Sequence, residues 1–246
     1  MSQKTVSHDV TGGLTSYGHV AGILMSDSTI PRIPGDPGHA ETFSFPVIYH
    51  TLEGFPFEDL VEIRKDHLDV LLAGAKFLED KGVRFAAADC GLFGPFTRDV
   101  TQHLSIPFIG TALDLVPLLQ HHLPARQKTG IITGDTRILK PAHLDASGID
   151  PDSVVISGME NSDAFRQVVM ERGNILDVSH MRSGVIQAAE ALKDQNIGAV
   201  VLECTNLISF KTDIQGCLRL PVFDLTSLIE FYAAGFMRQA FTSRFI

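Results

Sequence analysis

The stretch VRFAAADCGLFG, residues 83–94, runs from an apolar segment directly into a cysteine and then a Gly-rich turn. The arrangement returns at residues 197–207, IGAVVLECTNL, with Cys204 in the place of Cys90. Cys90 lies 17 residues before Pro107 in SIPFIG, and Cys204 lies 17 residues before Pro221 in RLPVFD. The offset is 114 residues at both landmarks, and the apolar segments AGILMS and TGIITG match at a similar offset. Several landmarks repeating in one order imply two copies of one unit.

Outward from these segments, apolar runs of strand length recur at 19–25, 45–51, 83–89 and 106–110, then at 128–134, 153–157, 197–203 and 218–223. Helical spacing of apolar residues covers 57–82, which Gly82 ends, and also 179–196 and 225–241. Strands alternating with helices imply βαβ crossovers and mainly parallel sheets. The expected fold class is α/β, with two similar pseudo-symmetric lobes, each a mainly parallel four-stranded sheet flanked by helices. Residues 17–112 form the first lobe, completed by the C-terminal helix 225–246, and residues 113–224 form the second. Residues 1–18 read as a loose arm. The Pro- and Gly-rich segment 26–44 reads as a long loop acting as a lid.

Bulk composition narrows the function. The chain has 246 residues, 44% hydrophobic and 20% charged, with a net charge of −9. That charge argues against nucleic acid or an anionic membrane as partner. The three cysteines, Cys90, Cys204 and Cys217, form no CxxC or Cys/His ligand spacing, so no metal site is expected. Few cysteines, no apolar leader at the N-terminus and no run of membrane-spanning length give the expectation of a cytoplasmic protein. No Gly-x-Gly-x-x-Gly or Walker pattern is present, so no cofactor is expected.

In open parallel sheets, ligands bind beyond the carboxyl ends of the strands. A cysteine there lies near free backbone N–H groups that stabilise a thiolate. Cysteine is also a common buried residue, and Cys217, with His103 at its equivalent position, reads as structural. For Cys90 and Cys204 the repeated position favours chemistry. Two thiols on facing lobes can remove a proton from one face of a carbon and return it to the other.

The segments VLECTNL, GILMSDS, GIITGDT and PVFDLTSL resemble motifs of the aspartate/glutamate/hydantoin racemase superfamily, over roughly residues 19–235. The resemblance implies a cofactor-independent, typically dimeric enzyme with paired cysteines as acid and base. It reaches to maleate cis–trans isomerases, arylmalonate decarboxylases with one cysteine, and sulfonium-acid lyases. The amino-acid racemases usually carry Cys-Asn-Thr at the first cysteine, where this chain has Cys90-Gly91-Leu92-Phe93. The first half-site is therefore less polar, which opens the question of substrate.

The expected function is isomerisation or racemisation at a carbon next to a carboxylate, with Cys90 and Cys204 catalytic. The alternatives are a lyase or maleate-type cis–trans isomerase on the same scaffold, and a carboxylate-binding protein without chemistry. The expected substrate-binding residues are Ser26, Arg32, Gly91, Leu92, Thr133, Gly134, Thr136, Thr205 and Asn206. Thr133, Gly134 and Thr136 are assigned to a carboxylate pocket, and Arg32 to a clamp from the lid. Strand alternation points Asp89 and Glu203 away from the thiols. His180 reads as a surface histidine, and His121 and His122 as a helix end. The expected partners are a small carboxylate and a second copy of the chain.

Overall fold

Eight strands build two sheets of identical topology in the computed structural model, which describes residues 12–237. In the first, β1 (Ala21–Ser26), β2 (Val47–Leu52), β3 (Phe85–Ala88) and β4 (Phe108–Ile109) lie in the order β2-β1-β3-β4. In the second, β5 (Lys128–Thr133), β6 (Val154–Gly158), β7 (Ile197–Leu202) and β8 (Val222–Phe223) lie in the order β6-β5-β7-β8. Every pairing is parallel. The central strands read as unbroken apolar runs because both faces of each sheet are covered.

The two lobes share a core. Ile131 of β5 and Val201 of β7 pack into the cluster that contains Ile23, Phe85 and Ile109 of the first lobe. Their strand neighbours Ile132, Val200 and Leu202 face the other way, into a cluster with Val185, Phe210 and Ile214. Side-chain alternation along one strand thus divides the two faces of the sheet between two cores. The helix Leu225–Phe236 returns to the first lobe, where Tyr232 and Phe236 place their rings 5.7 and 6.2 Å from that of Phe85. Cys217 is half-buried beside the second cluster.

Three expectations change. The helix expected over 57–82 is two helices, Phe57–Glu62 and Leu68–Asp80. Ile63 adopts a left-handed backbone (φ 54°), and the buried Asp59 carboxylate receives His67 Nδ1 at 2.9 Å, which fixes the break. The strand expected at 218–223 shrinks to Val222–Phe223, because the helix Lys211–Leu218 claims its start and Arg219 turns the chain at φ 55°. The segment 26–44 is fastened to the second lobe. Gly35 (φ +105°) lies so close to Ser209 that a Cβ would meet its Cα at 2.9 Å, and Asn206 Nδ2 donates to Asp36 at 3.3 Å. Parts of the expected arm and final helix, residues 1–11 and 238–246, lie outside the described residues.

Candidate active site

Each cysteine sits between a central strand and a short 3₁₀ segment. Cys90 follows β3 and precedes Gly91–Phe96, and Cys204 follows β7 and precedes Thr205–Phe210. The backbone N–H two residues on, of Leu92 for Cys90 and of Asn206 for Cys204, favours the thiolate form, and Cys204 Sγ donates to Asn206 Oδ1 at 3.7 Å. Both thiols line one cavity of about 130 Å³ between the lobes, room for on the order of ten water-sized groups. Burial pushes both thiols above their ordinary range, and the nearby Glu203 carboxyl adds to the shift. Asp89 and Cys204 raise Cys90 further, and Asp36 raises Cys204. The resting site therefore holds two protonated thiols.

Arg32 binds two buried carboxylates, Asp36 at 2.8 Å and Asp89 at 2.7 Å. Asp89 also accepts from Ser26 N at 3.0 Å and Ser26 Oγ at 2.7 Å. Thr205 Oγ1 donates across the lobe boundary to the Asp89 carbonyl. Burial raises Asp36 even though Arg32 opposes the shift. Glu203 is fully enclosed. Its Oε2 accepts from Thr133 Oγ1 at 2.7 Å, while Oε1 has no partner. Burial lifts this carboxyl to about 7. Gly91 is a glycine for space, since a Cβ there would lie 2.3 Å from the Glu203 carbonyl and 2.4 Å from Oε1.

The cavity wall is aromatic and acidic. Phe55, Phe57 and Phe165 line it together with Asp27, Glu58, Asp89 and Glu203. Leu92 and Met170 add apolar surface, and Phe93 stacks beneath Phe55 at 5.8 Å. Arg172 stands exposed at the rim in a left-handed conformation (φ 57°). Among the described residues, no three His, Cys, Asp or Glu side chains form a group suited to a metal ion.

Of the residues expected to bind substrate, Ser26, Arg32, Leu92, Gly134, Thr205 and Asn206 line the cavity. Gly91 lies behind it against Glu203, and Thr133 supports Glu203 from the buried side. Thr136 is a correction. It donates to Glu160 at 2.9 Å and faces a separate surface pocket, because the turn after β5 bends it away. The strand-alternation argument for Asp89 and Glu203 is also corrected. Both follow the last residue of their strands, where the pleat no longer sets direction, and both line the cavity. His180 is exposed and paired with Asp177 at 3.1 Å. His121 caps the helix Leu115–Gln120. The walls from 55–58 and 165–172 were not expected. Both follow the second strand of their sheets, so the repeat itself was the signal for them.

The fold is that of known two-lobed enzymes. A glutamate racemase of Bacillus anthracis superposes with a TM-score of 0.56 at 16% identity, over 88% of this chain and 81% of that one. Unliganded arylmalonate decarboxylase superposes with a TM-score of 0.55 at 14% identity, over 92% of this chain and 95% of that one. Residues 40–229 match the family model for Asp/Glu/Hydantoin racemase, and the chain belongs to that family of enzymes. Among curated relatives, a dimethylsulfoniopropionate lyase of Durusdinium sp. clade D is 27% identical over 88% of this chain and 74% of its own length. Dimethylsulfoniopropionate lyase 3 of Emiliania huxleyi is 26% identical over 88% of this chain, which spans 59% of that protein. No helix among the described residues is long and apolar enough to cross a membrane.

Proposed function

We propose that the chain is a lyase acting on a small carboxylate whose leaving group is a sulfonium, as in dimethylsulfoniopropionate. The observation that carries this reading is the cavity wall. Three phenylalanine rings stand with Asp27, Glu58 and Asp89, and the Arg32 charge is already matched by two carboxylates. Such a wall attracts a soft cation through ring faces and Coulomb force. The names of the relatives agree with it.

The chemistry needs one base. One thiol, Cys90 or Cys204, first gives its proton to solvent, and the thiolate so formed takes the proton on the carbon next to the carboxylate, forming an S–H bond. The C–H electron pair becomes the C=C bond, the C–S bond breaks, and its electrons leave on a neutral sulfide. The Leu92 and Asn206 N–H groups favour the thiolate against the surrounding burial. The proton then passes to solvent, and an unsaturated carboxylate is released.

The pair of thiols supports a second reading, racemisation of a chiral carboxylate by two bases. The assay that separates them incubates the protein with dimethylsulfoniopropionate in D2O, following dimethyl sulfide in the headspace and acrylate by proton NMR. Release of both supports the lyase. No release, with α-deuterium entering both enantiomers of a chiral carboxylate, replaces it with the racemase.

A further inference from the structure

Asn206 stands between the thiol of the second lobe and the segment 26–44, and the two ends of its amide do different work. Oδ1 accepts from Cys204 Sγ at 3.7 Å, and Nδ2 donates to Asp36 Oδ2 at 3.3 Å. Asp36 is 2% exposed. Its other oxygen, Oδ1, takes Arg32 Nη1 at 2.8 Å and the Gly38 N–H at 2.7 Å. An ionised carboxylate accepts hydrogen bonds and donates none, so the NH2 end of Asn206 has to face it. The amide oxygen is thereby left for the thiol, whose S–H is a donor. Asp36 is itself fixed in place. Thr42 Oγ1 donates to its carbonyl at 2.6 Å, and its own N–H donates to the Ile33 carbonyl at 3.0 Å. Ser209 Oγ of the second lobe donates to that same Ile33 carbonyl at 3.4 Å. The first lobe has no counterpart to this arrangement, because Leu92 holds the position after Cys90 that Asn206 holds after Cys204.

We infer that Asp36 is a positioning residue, which turns the Asn206 amide so that its oxygen holds the proton on the Cys204 thiol. The role is the same for an elimination and for a racemisation. A hydrogen bond made by the neutral form of an acid disfavours its ionisation. The charged and titratable groups around Cys204 act in the same sense. Glu203 precedes it in the chain, Asp36 faces it from the segment 26–44, and Cys90 and Asp89 share the cavity from the first lobe. Arg32 is held by Asp36 and Asp89, and Asp27, Glu58 and Arg172 stand at the exposed rim. Against these, the Asn206 backbone N–H favours the thiolate. Two cysteines at equivalent points of the repeat therefore differ. Cys204 has an acceptor for its proton that is oriented from the other lobe, while Leu92 offers Cys90 an apolar side chain.

The test follows alkylation of the protein by iodoacetamide with no substrate present, resolved cysteine by cysteine through peptide mass spectrometry. Below the pKa of a thiol the rate follows its thiolate fraction. Rates are taken as the ratio of Cys204 to Cys90, so a loosened fold that speeds every thiol cancels. In Asp36→Asn the new side chain keeps its oxygen toward Arg32 and the Gly38 N–H, both of which donate. Its NH2 group then faces Asn206, whose amide turns round and presents Nδ2 to the sulfur. The Cys204 ratio should rise at about pH 7.5, and the rise should be at least about tenfold larger with Asn206 in place than in an Asn206→Ala background. Asn206→Ala alone removes the acceptor and should raise the ratio about threefold or more. An equal rise in both backgrounds overturns the inference, because it is the plain loss of the Asp36 charge. An unchanged ratio in either single variant overturns it as well. None of these rates depends on sulfide release. Coupling without release keeps this role for Asp36 and removes the lyase, while release without coupling does the reverse.

Discussion

Replacing Arg32 with methionine removes one cation from between two carboxylates and keeps a side chain of similar length. Asp36 and Asp89 are 2–3% exposed, and the guanidinium reaches them at 2.8 and 2.7 Å. Stripping one partner from a buried ion pair costs about 3–5 kcal/mol. Neither carboxylate is left bare, since Asp36 keeps the Gly38 N–H at 2.7 Å and Asp89 keeps both Ser26 donors. The lower end, about 3 kcal/mol near neutral pH, is therefore the expected loss. In a chain of this size that lowers Tm by about 6–12 °C. The sign with pH follows from linkage. Without Arg32, the folded-state pKa of Asp36, already raised by burial, rises further above the unfolded value of about 3.9, so the folded form binds protons more readily as pH falls. The deficit should be largest near about pH 7.5 and should shrink toward about pH 5. Denaturant unfolding of both proteins at the two pH values measures it. A loss under about 1 kcal/mol, or one that does not change with pH, would refute the view that Arg32 neutralises this cluster.

Two further outcomes follow from the site. An elimination needs one base, so Cys90→Ala and Cys204→Ala should differ. One should lose sulfide release by about a thousandfold or more, and the other should keep measurable turnover; equal losses would favour two-base racemisation. Gly91→Ala should lower stability by about 1–3 kcal/mol and disturb turnover through Glu203, since its methyl would lie 2.3 Å from a backbone carbonyl. Gly216→Ala, in the helix Lys211–Leu218 with nothing within 4 Å, should instead raise stability by about 0.5–1 kcal/mol. Thermal unfolding of the two side by side checks the contrast.

The fold was readable because the repeat acts on residues whose placement is local. A cysteine at a strand end and a proline before the next strand recur at one offset, and the sheets follow from strand order. The break at Ile63 was hidden because it depends on Asp59 gripping His67, a contact that apolar spacing does not record. The thiols and Ser26, Leu92, Thr205 and Asn206 were legible because they lie at the end of an identifiable strand or within four residues beyond it. Phe55, Phe165 and Arg172 lie in the segments after the second strand of each sheet, where the repeat was a signal that a reading centred on the cysteines did not use. Glu203 was misjudged because alternation was carried one residue beyond the strand that justifies it. The isomerase expectation rested on the paired thiols and the family resemblance, while the lyase reading draws on the wall the thiols face.

The inner face of the second sheet has a consequence for ancestry. Ile131 and Val201 share one core with Ile23 and Phe85 of the first lobe as well as with Val116 and Leu144 of the second. A chain ending after one such unit would leave part of that face uncovered. Two copies meeting through it would have been the smallest soluble form, with one cysteine supplied by each. Fusion of the two would then have freed each half to change on its own. At equivalent positions the two halves already differ, with Gly91-Leu92 on one side and Thr205-Asn206 on the other.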